Sequence, residues 1–225
     1  MFDTILEALE YIANLAVRLS GGMLTSVEIF VLTLVFSLPL GMIVAFGRMS
    51  KSGFVRGLTK LYIALMRGTP LMLQLFVIYF GPYYLFKIPL AAEYRFIAVI
   101  IAFSINYAAY FAEIYRSGIE AMPLGQYEAA KVLGYNKSQT FFKIILPQVI
   151  KRVIPPVTNE TITLVKDTSL AFVIAVTEMF TIAKQISAKE ANVMPLMVAG
   201  VFYFIFNYVV AYIMERIEKK LSYYR

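Results

Sequence analysis

Neither cysteine nor histidine occurs in the 225 residues. Those two absences exclude disulfides, thiol nucleophiles, imidazole bases and the usual zinc ligand sets. Charge is also scarce: 16% of residues are charged and 60% are hydrophobic, with a mean hydropathy of +0.72. Soluble domains average about a quarter charged, so a bilayer is the solvent this composition fits. No stretch carries a phosphate-binding loop with its Gly-Lys-Ser/Thr ending. Gly134-Tyr135-Asn136-Lys137-Ser138 has the wrong spacing, so nucleotide hydrolysis is not expected of this chain. Asp3, Glu7 and Glu10 stand where a secretory signal would be basic, and no such signal is expected. No repeat, disordered linker or second domain is evident.

A spanning helix needs about 20 apolar residues. Uncharged runs of that order occur at Ile29–Gly47, Gly68–Phe86, Phe96–Ala112 and Ala191–Met214. Residues 153–183 are also mostly apolar but are interrupted by Glu160, Lys166, Asp167 and Glu178. Five spans are therefore expected, over about 23–47, 61–86, 95–117, 153–183 and 194–215. The net charge of +7 is read as Lys and Arg retained on the cytoplasmic side, not as a nucleic-acid surface. Thirteen basic residues lie in segments 48–60 and 117–152 and in the tail that ends at Arg225, against five on the other side: Arg18, Lys87, Arg95, Lys184 and Lys189. That bias predicts an outer N-terminus and a cytoplasmic C-terminus.

Residues 3–19 read as an amphipathic helix, with Ile5, Leu9, Ile12, Ala16 and Leu19 on one face and Asp3, Glu7, Glu10, Asn14 and Arg18 on another. Charge recurring every turn favours a place in the membrane interface. Gly21-Gly22 then permits a turn into the first span. Pro and Gly residues cut segment 118–152 into expected helices over about 125–134 and 137–150, the second halted by Pro147.

That segment also carries Glu128-Ala129-Ala130, Gly134 after three intervening residues, then Ile144, Leu146 and Pro147. Glu128 complements a helix N-terminus, the two alanines keep the helix thin, and Gly134 can end it at positive φ. Local physics alone fits equally a docking helix or a well-capped interfacial loop. The spacing resembles the signature loop of permease subunits from ATP-binding-cassette importers. Arg67–Phe76 (RGTPLMLQLF), Tyr110–Ala121 (YFAEIYRSGIEA) and Asn159–Leu170 (NETITLVKDTSL) resemble the polar-amino-acid branch of that family.

The resemblance implies an all-α membrane protein of the type I importer permease fold. Five transmembrane helices are joined by an N-terminal interfacial amphipathic helix and a cytoplasmic coupling helix, in one permease domain over residues 1–225. Glu128, Ala129, Ala130 and Gly134 would dock on a separate ATPase subunit. ATP and magnesium are then expected on that partner, with no cofactor, metal or catalytic residue on this chain. Two permeases are implied, expected to be a homodimer with a heterodimer as the alternative. An external substrate-binding protein completes the complex, in a bacterial inner membrane.

Charges at membrane depth cost about 2.5–3.5 kcal/mol or more each and need a reason. Glu113 and Arg116, three apart on one helix, can pair. Glu178 falls near the outer end of its segment, where it can reach water. Glu160 has Pro156, Val157, Thr163 and Leu164 as helical neighbours, none of them basic. Its partner must be Arg67, another subunit or a cargo. Glu160, Thr163, Leu164 and Asp167 share a helical face flanked by Asn159, and Pro155-Pro156 is expected to break the helix upstream. Asn159 and Glu160 are the expected substrate contacts, with Thr163 and Asp167 nearby. Met66, Gly68 and Thr69 would contribute from the Arg67–Pro70 segment, Tyr107 and Glu113 from the third span.

Four acids against three bases in the buried segments favour arginine, lysine or histidine as cargo, with a neutral polar amino acid such as glutamine as the alternative. An ion-coupled secondary transporter is the rival from another class, though no second repeat supports it. An intramembrane enzyme would be limited to carboxylate chemistry, and no paired-aspartate motif is present.

Overall fold

The computed structural model describes residues 2–221, with backbone alone for 2–5 and 8. The side chains of Asp3 and Ile5, and the tail residue Arg225, lie outside the described residues. These residues form helices and no strand. Nine α-helices follow one another: α1 (Phe2–Arg48), α2 (Gly53–Gly68), α3 (Leu71–Phe86), α4 (Tyr94–Glu120), α5 (Leu124–Val132), α6 (Lys137–Gln139), α7 (Leu146–Asp167), α8 (Met179–Glu190) and α9 (Met194–Leu221). A π-helical segment, Thr140–Ile145, joins α6 to α7, and a 3-10 segment, Thr168–Ile174, follows α7. Leu9–Arg48, α4 and α9 are long and apolar enough to cross a membrane; α2 with α3, and the run 137–174 with α8, are broken pairs that make five spans if each counts as one.

The breaks have local causes. The expected span 61–86 is interrupted at Thr69-Pro70, because the residue before a proline is driven out of the helical region. Thr69 is extended, at φ −124° and ψ 148°. The expected span 153–183 is interrupted after Ile174, not at Pro155-Pro156, which α7 passes through intact. Ala175 takes the left-handed conformation at φ 57° and closes the 3-10 segment. Glu178 then caps α8.

Pro147 does not halt the helix either; it lies in the first turn of α7. A proline ring collides with the carbonyl four residues back in an α-helix. The widened π turns just upstream relieve that collision, and the Leu146 N–H bonds back five residues to the Phe141 carbonyl.

Two compact units are present. The first comprises Met1–Leu34, Leu71–Phe103 and Ile162–Val210. Its core joins Leu15 and Leu19 of α1 to Met179, Ala183 and Ile186 of α8 and to Val198 and Ala199 of α9. The turn expected at Gly21-Gly22 is absent: α1 runs straight through. Gly22 serves contact instead, since a Cβ there would lie 2.8 Å from the Met179 Cα. The buried face of the first turns is accordingly Tyr11, Leu15 and Leu19, while Leu9 and Ile12 of the expected apolar face remain exposed.

Glu178 does not reach water. It is fully buried, accepting the N–H groups of Phe180 (2.7 Å) and Thr181 (2.6 Å) and the hydroxyls of Thr181 (2.8 Å) and Tyr203 (2.9 Å). One carboxylate thus ties the start of α8 to α9.

The second unit comprises Val35–Pro70, Ser104–Thr161 and Ala211–Arg225. Here α2 is pinned along α4: the Tyr62 hydroxyl donates to the Ile105 carbonyl (2.5 Å) and the Asn106 amide to the Met66 carbonyl (3.0 Å). The Arg152 guanidinium of α7 donates to the Ala121 carbonyl just beyond α4 at 2.9 Å.

Candidate functional site: a mixed-charge cleft and a capped short helix

Helical spacing builds the cleft. Tyr110, Glu113, Ile114 and Ser117 of α4 recur at intervals of three and four, as do Arg152, Pro156 and Glu160 of α7, and both rows line one cavity of about 420 Å³ together with Arg67 at the end of α2. That volume is in the usual range for a small-molecule site. Arg67 lies over the Tyr110 ring, 5.3 Å from its centroid. Glu113 is held by Arg116 at 2.7 Å, the pair expected from their spacing, and by Arg48 at 3.7 Å; Arg116 also pairs with Glu120.

The lining therefore presents three guanidinium groups and two carboxylates, with the phenol of Tyr110 and the hydroxyl of Ser117. A guanidinium fork matches a carboxylate in two hydrogen bonds, and a carboxylate takes an ammonium. Both ends of a free amino acid have partners in such a cleft.

Of the expected contacts, Glu160 and Glu113 line the cleft, with Arg67 as the named partner candidate. Met66, Gly68, Thr69, Tyr107 and Asn159 lie in the same unit but not in the lining. Tyr107 is buried among Tyr110 and Phe111 at 6.2 Å between ring centroids. The Met66 carbonyl is occupied by Asn106, and the Thr69 hydroxyl donates to the Leu65 carbonyl at 2.8 Å. Thr163 and Asp167 belong to the other unit.

The expected polar face of α7 is also rotated. Leu164 is fully buried and Glu160 and Asp167 half-buried, whereas Arg152, Asn159, Thr163 and Lys166 form the exposed stripe. Arg152 escaped the sequence reading because it was assigned to a loop; its spacing of eight from Glu160 was the available signal.

The second feature is α5. Pro123 precedes it and Leu133 closes it, after which Gly134 stands at φ +78°. The Tyr135 N–H reaches back to the Ala130 carbonyl and the Gly134 N–H to the Lys131 carbonyl, each at 3.0 Å. That pair of bonds is the Schellman motif, which needs a left-handed residue where Gly134 sits. Ala130 is buried while Glu128, Ala129, Leu124 and Val132 are exposed. The helix thus turns a short, partly apolar face outward.

Residues 37–223 match the family described as the binding-protein-dependent transport system inner membrane component. The chain is 37% identical to the L-cystine transport system permease protein of Bacillus subtilis, over 92% of this chain and 87% of that one. It is 35% identical to a putative glutamine transport system permease of Rickettsia bellii (89% and 91% covered) and 33% identical to the arginine transport system permease of Bacillus subtilis (89% and 91%). A crystal structure of an amino acid ABC transporter with histidines superposes with a TM-score of 0.83 at 28% identity, covering 96% of this chain and 97% of that one. The methionine ABC transporter in an inward-facing conformation, at 18% identity and a TM-score of 0.72, shares the fold. The match over residues 37–223, the relatives and the superposition agree: this chain belongs to the inner-membrane permease family of binding-protein-dependent transport systems, in its amino-acid ATP-binding-cassette branch, and is a transport subunit, not an enzyme.

Proposed function

We propose that the chain forms half of the pathway by which a polar amino acid is imported across a bacterial inner membrane. The N-terminus faces outward, and α5 and the C-terminus face the cytoplasm. Two copies assemble with two ATPase subunits, which hold ATP and magnesium, and with an external binding protein; this chain binds no cofactor. The exposed polar residues Asn159, Thr163 and Lys166 of α7 support the homodimer, because lipid penalises polar groups at depth and a second copy around a wet path does not.

The observation that carries the reading is the mixed-charge cleft. Its three arginines outnumber its two carboxylates, and one of those, Glu113, is engaged by Arg116 and Arg48. The acidic excess read from the sequence is therefore not reproduced locally. We read the cargo as a zwitterion, its α-carboxylate on Arg67 and its α-ammonium on Glu160, with a neutral or basic polar side chain. Docked α5 helices follow the ATPase subunits as these close on ATP, and the cleft is alternately opened and closed.

The test is ATP-driven uptake by the reconstituted permease–ATPase complex with its binding protein. Glu160→Gln and Arg67→Gln should each depress glutamine, cystine and arginine uptake alike. Loss confined to arginine and lysine in Glu160→Gln would replace the zwitterion reading with recognition of a basic side chain. Uptake driven by an ion gradient without ATP would defeat the import mechanism altogether.

A further inference from the structure

A second recess lies apart from α5's exposed face. It is an open groove of about 1180 Å³ where the π segment and the start of α7 meet the end of α9. Three of its lining residues are cationic, Lys143, Lys151 and Arg152, and none is acidic; Ile144, Ile150 and Leu221 supply apolar wall. We propose that this groove binds an anionic phospholipid of the cytoplasmic leaflet, its phosphate among the three cations and an acyl chain along the apolar wall.

Charge, size and depth support that occupant. A single-sign cationic lining beside apolar surface matches an amphiphile with an anionic head. The volume exceeds the range of about 300–1,000 Å³ usual for small ligands, leaving room for a head group and the upper part of a chain. Leu221 ends α9, one of the helices long enough to cross a membrane, so the groove sits at a helix end, where head groups lie. Basic pockets between membrane helices on the cytoplasmic side attract anionic lipid head groups.

The ATPase subunit is the competing occupant. However, α5 presents Gln126, bonded to Gln148 at 3.3 Å, to the groove, and Leu124, Glu128 and Lys131 elsewhere. A partner seated on that exposed face leaves the groove open. Arg152 lines both the groove and the mixed-charge cleft, so a lipid phosphate on it bears on the transport site. The proposal rests on the permease reading and its orientation.

The experiment uses the purified permease–ATPase complex, offered equal phosphatidylglycerol and phosphatidylcholine, with retained lipid counted by native mass spectrometry. The wild type should retain phosphatidylglycerol preferentially. K143Q/K151Q should retain it about 25-fold less, two basic residues each worth roughly fivefold at an anionic surface, and the single variants should fall between. Equal retention of both lipids by the wild type, or undiminished phosphatidylglycerol on the double variant, overturns the proposal. Protection of Lys143 from amine labelling by the ATPase subunit in lipid-free detergent overturns it too. Absence of ATP-driven uptake by the wild type would instead fail the permease reading.

Discussion

Replacing Gly134 separates backbone conformation from bulk, because the structure leaves open space around this glycine while fixing its φ at +78°. A Cβ there meets nothing within 4 Å, so the whole cost of a substitution is conformational. An L-residue in the left-handed region pays about 1–2 kcal/mol, with β-branched residues worst and asparagine the best tolerated. That cost falls on the two bonds that close α5, from Tyr135 and Gly134 to Ala130 and Lys131. Opening of this turn should rise about 5–30-fold in Gly134→Ala, read as faster hydrogen exchange of residues 134 and 135. Gly134→Val should exchange faster still, and Gly134→Asn should stay near the wild type. ATP-coupled uptake should fall in the same order, asparagine above alanine above valine, at constant membrane insertion. Alanine outperforming asparagine would show that bulk governs the site and would refute the reasoning.

Other substitutions test the remaining geometry. Glu178→Ala leaves two N–H groups and the Tyr203 hydroxyl without their acceptor; at about 1–3 kcal/mol for a buried unsatisfied group, thermal unfolding should come markedly earlier, with Glu178→Gln intermediate. Glu113→Gln removes the partner of Arg116 and Arg48, and the double variant Glu113→Gln/Arg116→Gln should recover part of that loss of stability; a fully additive double-mutant cycle would deny the pair any coupling. Gly22→Leu forces α1 away from Met179 and should cost about 1–3 kcal/mol by overpacking, whereas an unchanged melting temperature would contradict the close contact.

Much of the fold was legible because its signals are local. The apolar runs mark the spans, and Gly134 announces a helix end that its φ of +78° matches. The i,i+3 spacing of Glu113 and Arg116 produced the pair that is seen. Failures occurred where a distant contact decides. Gly21-Gly22 and Pro155-Pro156 both carry a breaker's local preference, yet α1 and α7 continue through them. For Gly22 the decisive neighbour is Met179, more than 150 residues away. The phase of α7 failed for a related reason: one helical turn has several polar residues, and only packing chooses Leu164 to be inside and Asn159 outside. The Thr69-Pro70 break was within reach, since the rule for a residue before proline applies there directly.

Charge along α7 has a consequence for how the protein is made. Glu160, Lys166 and Asp167 fall within it, and α7 is not among the helices apolar enough to cross alone. At about 2.5–3.5 kcal/mol for each charge at the bilayer centre, a translocon releasing this segment sideways by itself would be working uphill. Biogenesis is therefore expected to follow an order: the hydrophobic helices settle first, and α7 follows once neighbours stand ready to receive its polar flank.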